Sequence, residues 1–271
     1  MKLDFEHCVA ELREASRPFF RGRVDLVSGV IVEAVGVPAA MGEVCRIDRG
    51  ALGPIEAEVI GFRGSSTLLM PHGDLTGIAP RQAVVALRRS FQVRVSPGLV
   101  GRVLDGFGRP LDRTALLGGS MREVRGEAPD PLSRVPIREV LQTGVRAIDG
   151  LNTIGRGQRV GIFAGSGVGK SSLLGQVTRG TNADVIVACL VGERGREVQD
   201  FLTDVLGEEG RKRSVLVVAT SDRSPIERYL APFVAVTIAE AFRDEGQEVL
   251  LVMDSITRFA AAAREIGLAA G

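Results

Sequence analysis

Residues 164–172 read Ala-Gly-Ser-Gly-Val-Gly-Lys-Ser-Ser and follow an apolar run at 160–164. We predict that the run is a strand, that the glycines form a tight turn and that a helix begins near Lys170. The backbone N–H groups of such a turn converge on one anion, and the helix dipole adds positive potential. The stretch therefore predicts a phosphate-binding loop in an α/β domain.

The loop predicts roles for individual residues. Lys170 is expected to reach the β- and γ-phosphates of ATP, and the Ser171 hydroxyl to ligate Mg²⁺. Ala164 replaces the usual first glycine, which affects only the entry to the loop. The alternative is a glycine-rich turn that binds nothing. The residues expected to bind the nucleotide are Gly165, Ser166, Gly167, Val168, Gly169, Lys170, Ser171 and Ser172.

Two carboxylates follow later apolar runs. Glu193 and Asp254 each come after a predicted strand, and the carboxyl ends of parallel strands line the ligand crevice of an open α/β sheet. Glu193 is expected to orient and polarise an attacking water, and Asp254 to hold Mg²⁺ with Ser171. Arg194 is a further catalytic candidate that could steady phosphate charge. The alternatives are a solvated loop of mixed charges at Glu193 and Arg194, and a capping aspartate at Asp254.

The pattern along the chain predicts three parts. Short β-rich runs between Gly-, Pro- and Asp-containing turns favour a small all-β barrel, whereas the later alternation of strands and helices favours a parallel sheet. The boundaries are 1–21 for an N-terminal amphipathic helical segment, 22–91 for the barrel and 92–271 for the α/β domain. The strands predicted in the last part are 160–164, 185–191, 215–219 and 249–253, and the helices are 170–180, 195–206 and 225–245.

The last of these helices has a marked start. Ser224 is the predicted N-cap, Pro225 lies at the first helical position, and Glu227 is predicted to close a capping box. Pro232 lies inside the helix and is predicted to kink it near Arg228.

Composition excludes several classes of protein. The formal net charge is +1, Trp is absent and there is a single Tyr, so nucleic acid is not the expected partner. Three scattered cysteines without a CxxC pair favour a reducing compartment over disulfides or zinc. The sequence contains no apolar run of 18 residues and begins without a secretory signal. We therefore expect a cytoplasmic protein.

Several motifs together resemble one family. They are the phosphate-binding loop, Gly144-Val-Arg-Ala-Ile-Asp-Gly150, Gly192-Glu-Arg-Gly-Arg-Glu-Val198 and Met253-Asp-Ser-Ile-Thr-Arg-Phe259. This set resembles the type III protein-export ATPases, namely the flagellum-specific ATPase and its injectisome counterpart, which are related to the catalytic subunit of the rotary ATP synthase. The resemblance covers nearly the whole chain from about Gly22.

The resemblance implies an N-terminal barrel, a RecA-like P-loop domain and a Mg-dependent ATPase that works as a homo-hexamer with ATP at the subunit interfaces. It implies a protein held at the inner-membrane export apparatus, with a regulatory stalk protein, the membrane export gate, export substrates and chaperones as partners. Lys170 and Ser171 match the family's phosphate loop, Glu193 its catalytic carboxylate and Asp254 its magnesium site. Family members continue beyond Gly271, where we expect the adenine pocket and a trans-acting arginine finger.

Two other functions are compatible with parts of the pattern. The Rho transcription terminator, an RNA-translocating ATPase, also combines a barrel, a related nucleotide domain and an Asp-Ser-Ile-Thr-Arg run. The near-neutral charge and the aromatic-poor barrel disfavour it. A non-catalytic ring subunit is disfavoured because Lys170, Glu193 and Asp254 are all present.

Overall fold

The chain folds into two compact units, which divide between Arg89 and Ser90. The computed structural model describes residues 21–112, 114–126, 128–165 and 168–270. The predicted N-terminal helical segment lies outside these residues, except for Arg21, which begins the first strand.

The first unit is a six-stranded barrel. Its strands are β1 (Arg21–Ser28), β2 (Ile31–Val35), β3 (Glu43–Ile47), β4 (Ile55–Arg63), β5 (Ser66–Pro71) and β6 (Ala83–Ser90). They follow the order β1-β2-β5-β4-β3-β6 around the barrel, and β1 pairs antiparallel with both β2 and β6. Closure in this way leaves no unpaired sheet edge.

Side chains that alternate along these strands fill the barrel. The buried residues include Val32, Ala34, Ile47, Val59 and Leu69. β-Branched and other apolar residues at every second position suit a strand that has one face in a core and the other in water.

The second unit contains the predicted parallel sheet. Its strands are β7 (Gln92–Val95), β8 (Val103–Asp105), β9 (Ser120–Glu123), β10 (Val140–Leu141), β11 (Ile154–Gly155), β12 (Val185–Val191), β13 (Ser214–Ala219) and β14 (Val249–Asp254). Four of them form a parallel sheet in the order β14-β12-β13-β8, and the others pair as β7 with β9 and β10 with β11. Every residue of β12 and β13 is buried, as expected for strands covered on both faces.

The second unit also contains helices. Those among the described residues are α1 (Arg146–Leu151), α2 (Lys170–Gly180), α3 (Gly195–Asp200), α4 (Gly207–Lys212), α5 (Pro225–Asp244) and α6 (Ile256–Ala270). A 3₁₀ turn lies at Gly50–Leu52 in the first unit, and two more lie at Pro97–Leu99 and Pro131–Ser133 in the second. α5 packs on β12, β13 and β14 and runs unbroken through Pro232. None of the helices in the described part of the chain has the length and hydropathy needed to span a bilayer. The predicted fold class, a barrel followed by an α/β domain, is confirmed.

The strand predicted at 160–164 is not formed. These residues have no regular structure, and Val160 and Phe163 are 53% and 97% exposed. A strand exists only through hydrogen bonds to a neighbour, and among the described residues β14 ends the sheet without a further partner. The apolar composition of this run was therefore not sufficient to predict a strand here.

The helix predicted at 195–206 is divided. α3 ends at Asp200, and Phe201–Leu206 continues as one π-helical segment, which we call the π-turn, before α4 begins at Gly207. A π-helical turn interrupts the regular α-helical hydrogen bonding, and such turns often lie at functional sites.

The capping box predicted for α5 is only half formed. The Ser224 hydroxyl accepts a hydrogen bond from the Glu227 backbone N–H at 3.4 Å, as predicted. The Glu227 carboxylate instead accepts a hydrogen bond from the buried N–H of Gly106 at 3.3 Å. The prediction was wrong for this second bond because a tertiary donor, which sequence spacing does not reveal, uses the carboxylate.

Candidate active site

The site is built where three elements meet. The carboxyl ends of β12 and β14 lie side by side in the parallel sheet, and α2 begins at Lys170 as predicted. Gly169 is the N-cap of α2 with φ +98°, a left-handed conformation that residues with a Cβ rarely adopt. A glycine at this position therefore lets the loop turn directly into the helix.

A cavity of about 640 Å³ opens at this junction. Its floor and walls come from the loop, from the start of α2 and from the segments that follow β12 and β14. The lining residues are Ala164, Gly165, Gly169, Lys170, Ser171, Ser172, Leu190, Glu193, Glu197, Asp200, Phe201, Val205, Asp254 and Arg258. The fold thus brings Lys170, Glu193 and Asp254, which are far apart in sequence, to one cavity.

The remaining predicted loop residues are placed differently. Val168 is 68% exposed and is not among the lining residues. Ser166 and Gly167 lie outside the described residues.

Lys170 and Asp254 form an ion pair through Nζ and Oδ1. The Asp254 side chain is 10% exposed and that of Lys170 is 32% exposed, so water screens the pair only in part. The residue expected to bind phosphate and the residue expected to bind metal therefore neutralise each other. A nucleotide that enters with its cation offers each of them a new partner of opposite charge.

A second ion pair joins Glu193 to Arg258, which lies in the first turn of α6. Burial raises the pKa of Glu193, and its hydrogen bond with Glu197 raises it further, whereas Arg258 opposes the shift. The same hydrogen bond, together with the Arg194 backbone N–H, lowers the pKa of Glu197 to about 2. The two neighbouring carboxyl groups therefore differ in pKa, and that of Glu193 is the higher.

Arg194 lies at the edge of this network. As the N-cap of α3 it donates its backbone N–H to Glu197 Oε2 at 3.1 Å, and its Nη1 donates to Glu197 Oε1 at 3.3 Å. Its side chain is 70% exposed and is not among the residues that line the cavity. A direct catalytic role for Arg194 stays a prediction.

The residues present fit a magnesium ion bound together with a nucleotide. The Ser171 hydroxyl and the Asp254 carboxylate are hard oxygen donors that line the same cavity. Mg²⁺ usually takes only one or two protein oxygens and completes its shell with water and phosphate. Among the described residues there is no cluster of three or more His, Cys, Asp or Glu that could hold a metal ion.

Two residues of the site were missed by the sequence reasoning. Arg258 and Glu197 each lie four residues after a predicted functional carboxylate, Asp254 and Glu193. Both belong to helices that begin within four residues of a strand end, and both side chains line the cavity. The four-residue spacing could have indicated both residues. Using it would have required knowing where each helix starts to within one residue.

Comparisons with known proteins identify the kind of domain that contains this cavity. Residues 144–271 match the ATP synthase alpha/beta family, nucleotide-binding domain. The resemblance to the export ATPases is confirmed. The flagellum-specific ATP synthase of Bacillus subtilis (strain 168) is 50% identical over 92% of this chain and 58% of its own length. The type 3 secretion system ATPase of Xanthomonas euvesicatoria is 50% identical over 92% of this chain and 57% of its own length.

A solved structure shows the same fold. The ATPase EscN of the enteropathogenic E. coli type III secretion system, assembled and in complex with its central stalk EscO, matches with a TM-score of 0.84 and 45% identity. The match covers 92% of this chain and 61% of that one. The chain therefore spans less than two thirds of the length of these relatives. All three are named for the flagellum or for a type III secretion system, so the comparisons favour the export family over the Rho-like alternative.

Proposed function

We propose that this chain binds Mg-ATP in the cavity and hydrolyses it to power or prime protein export through a flagellar or type III secretion apparatus. The observation that carries the proposal is the meeting of Lys170, Glu193 and Asp254 around one cavity at the amino end of α2. Sequence similarity to export ATPases supports the process that the hydrolysis serves.

Binding begins with an exchange of partners. Lys170 leaves Asp254 and takes a phosphate oxygen, while Asp254 and Ser171 are free to face the metal ion. The backbone N–H groups at the amino end of α2 add donors for the phosphates. When bound, the magnesium ion would neutralise charge on the phosphate oxygens.

Hydrolysis requires one oriented water. In this proposal Glu193 accepts a hydrogen bond from a water beside the γ-phosphate, and its raised pKa makes its ionised form a stronger base than an ordinary carboxylate. The water oxygen bonds to the γ-phosphorus, and the bond from that phosphorus to the β,γ-bridging oxygen breaks. ADP leaves with the electron pair, and the proton lost by water passes through Glu193 to solvent or phosphate.

The assembly belongs to the proposal. One relative is described as assembled and bound to a central stalk. By analogy we assign this chain to a homo-hexamer that contacts a regulatory stalk protein, the membrane export gate, export substrates and their chaperones. Its place would be the cytoplasmic face of the inner membrane, without nucleic acid as a partner.

The first test asks whether Lys170 binds phosphate specifically or whether the loss of any lysine weakens nucleotide binding. Lys170→Ala should weaken binding of a fluorescent ATP analogue by at least about tenfold, because a charge-assisted hydrogen bond is lost. Lys212→Ala is the matched control, since Lys212 is an exposed lysine paired with Glu209 on α4. Equal affinity in the two variants would remove the basis for the proposed site.

A further inference from the structure

The π-turn depends on a donor from another helix. The carbonyl groups at the end of a helical segment lack partners within it. Here the carbonyls of Asp204 and Val205 accept hydrogen bonds from Nη1 of Arg179 at 2.8 and 2.6 Å. Arg179 belongs to the last turn of α2, the helix that starts at Lys170. One guanidinium therefore ties the end of the π-turn to the phosphate-binding helix.

The two segments also pack closely beside this bond. A Cβ on Gly175 of α2 would lie 3.3 Å from Val205 Cα and 3.2 Å from Arg179 Nη1, tighter than ordinary contact. A glycine at this position therefore permits the helix and the π-turn to approach, and the approach places the guanidinium over the two carbonyls. A displacement of the π-turn would disturb both the packing and the hydrogen bonds.

The π-turn leads back to the catalytic carboxylate. Its residues Phe201 and Val205 line the cavity, and it continues directly from α3. Glu197 of α3 lines the same cavity as Glu193, and Arg194 holds its carboxylate through the backbone N–H and Nη1. A continuous path therefore runs from Lys170 along α2 to Arg179, through the π-turn and α3, to the wall of the cavity beside Glu193.

We propose that Arg179 is a positioning residue, which couples the phosphate-binding helix to the segment 195–206 that carries Glu197 and lines the cavity beside Glu193. The inference rests on the proposed function in so far as Glu193 serves ATP hydrolysis. It concerns the arrangement of the site and assigns Arg179 no contact with the nucleotide.

The first experiment needs no nucleotide. Amide hydrogen exchange is measured on the parent chain, Arg179→Met, Arg179→Lys and the control Arg211→Met, which removes an exposed arginine from α4. In Arg179→Met, amides of 195–206 should exchange about tenfold faster, because the carbonyls of the π-turn lose a charged donor. Arg179→Lys, which keeps a charged donor, should restore at least half of the protection, while Arg211→Met should match the parent.

The second experiment adds Mg-ADP as the probe. In the parent we expect ADP to slow exchange both at the start of α2 and in 195–206. In Arg179→Met the slowing should persist at the start of α2 and disappear from 195–206. This separation would not follow if Arg179 served only to stabilise the fold, which would affect the whole second unit evenly.

The outcomes distinguish the two proposals. If 195–206 stays as protected in Arg179→Met as in Arg211→Met, or if protection falls evenly through the second unit, Arg179 does not couple the two segments. If Mg-ADP changes exchange nowhere in the parent, the proposed function fails, and the nucleotide-free measurement still decides the role of Arg179.

Discussion

At the scale of single side chains, the cavity contains two ion pairs that must rearrange. One pair joins Lys170 to Asp254, and the other joins Arg258 to Glu193. In the proposed reaction the two members of each pair act on different partners. Breaking a partly buried pair costs free energy unless both charges gain new partners. We therefore expect Mg²⁺ and ATP to bind cooperatively, with each taking one member of the first pair.

Asp254→Asn tests this competition. Without the carboxylate, ATP in the presence of EDTA should bind about three- to tenfold more tightly, because Lys170 no longer has to leave an ionic partner. The gain in affinity on adding Mg²⁺ should shrink, since an amide oxygen is a weaker ligand than a carboxylate. Titration of a fluorescent ATP analogue with and without Mg²⁺ measures both effects.

Asp244→Asn is the matched control for this prediction. Asp244 is paired with Arg122 and Arg243 at the end of α5 and is not among the cavity residues. Its replacement should leave both affinities unchanged. If Asp254→Asn weakens Mg-free binding as well, Asp254 does not compete with phosphate for Lys170.

Glu193→Gln should separate binding from hydrolysis. The amide keeps the shape of the side chain but cannot accept the proton of the attacking water, so turnover by the assembled protein should fall by about 10²- to 10⁴-fold. Affinity for Mg-ATP should change little, because Lys170, Ser171 and Asp254 remain. Glu209→Gln, on exposed α4, serves as the control. Turnover within a few-fold of the parent would mean that another group orients the water.

The sequence identified the residues that follow directly from local context. Lys170 lies in a glycine-rich loop, and Glu193 and Asp254 follow apolar runs, so their positions at strand ends could be predicted. Arg258 and Glu197 could not be chosen from their neighbours, because only the phase of a helix that starts after each strand directs them into the cavity. The exposure of Arg194 likewise depends on its position as the N-cap of α3.

At the scale of helices and strands, two acidic side chains lie near the carboxyl end of β8, the half-buried Asp105 and the buried Glu227. Burial raises the pKa of both Asp105, at the end of β8, and Glu227, in the first turn of α5. The charges of Arg109 and Arg223 oppose this rise in pKa at both groups, whereas the charge of Asp105 adds to it at Glu227. Because the folded pKa values lie above the unfolded ones, these groups contribute stability below the ordinary carboxyl pKa, and that stability is lost as pH rises.

Glu227→Gln should remove the part of this pH-dependent loss of stability that comes from Glu227. The amide oxygen can still accept the Gly106 N–H, but the cost of ionising a buried group is gone. We expect the variant to gain stability relative to the parent at pH 8 and much less at pH 4. Urea unfolding at the two pH values measures the difference. Glu240→Gln, on an exposed position of α5, should give no such pH dependence. An equal change at both pH values would show that packing alone was altered.

Elements differed in how well sequence predicted them. The barrel as a whole was predicted, and β12, β13 and β14 were predicted within a few residues, because apolar runs lay between clear turns. The run at 160–164 has the same apolar character but no partner strand among the described residues, and strand formation depends on that partner. The π-turn was not predicted either, since its register is set by packing on α2 and by Arg179.

At the scale of the whole molecule, the cavity is acidic although the chain is nearly neutral. The described lining residues include four carboxylates, Glu193, Glu197, Asp200 and Asp254, against two bases, Lys170 and Arg258. The formal net charge of the chain is +1. A polyphosphate that enters this cavity therefore needs positive charge beyond these two bases, from a bound cation and from outside the cavity.

Assembly is the expected source of that charge. If a neighbouring subunit provides an arginine, it should raise turnover by about 10³- to 10⁵-fold, or about 4–7 kcal/mol of barrier. Specific ATPase activity should then rise steeply with protein concentration and follow the formation of oligomers measured by sedimentation. Affinity for the fluorescent ATP analogue should rise much less, because Lys170, Ser171 and Asp254 all come from one chain. Specific activity could instead stay constant across the concentration range in which oligomers form. That result would mean that a single subunit supplies the needed charge, through Arg258 after the bound nucleotide has released it from Glu193.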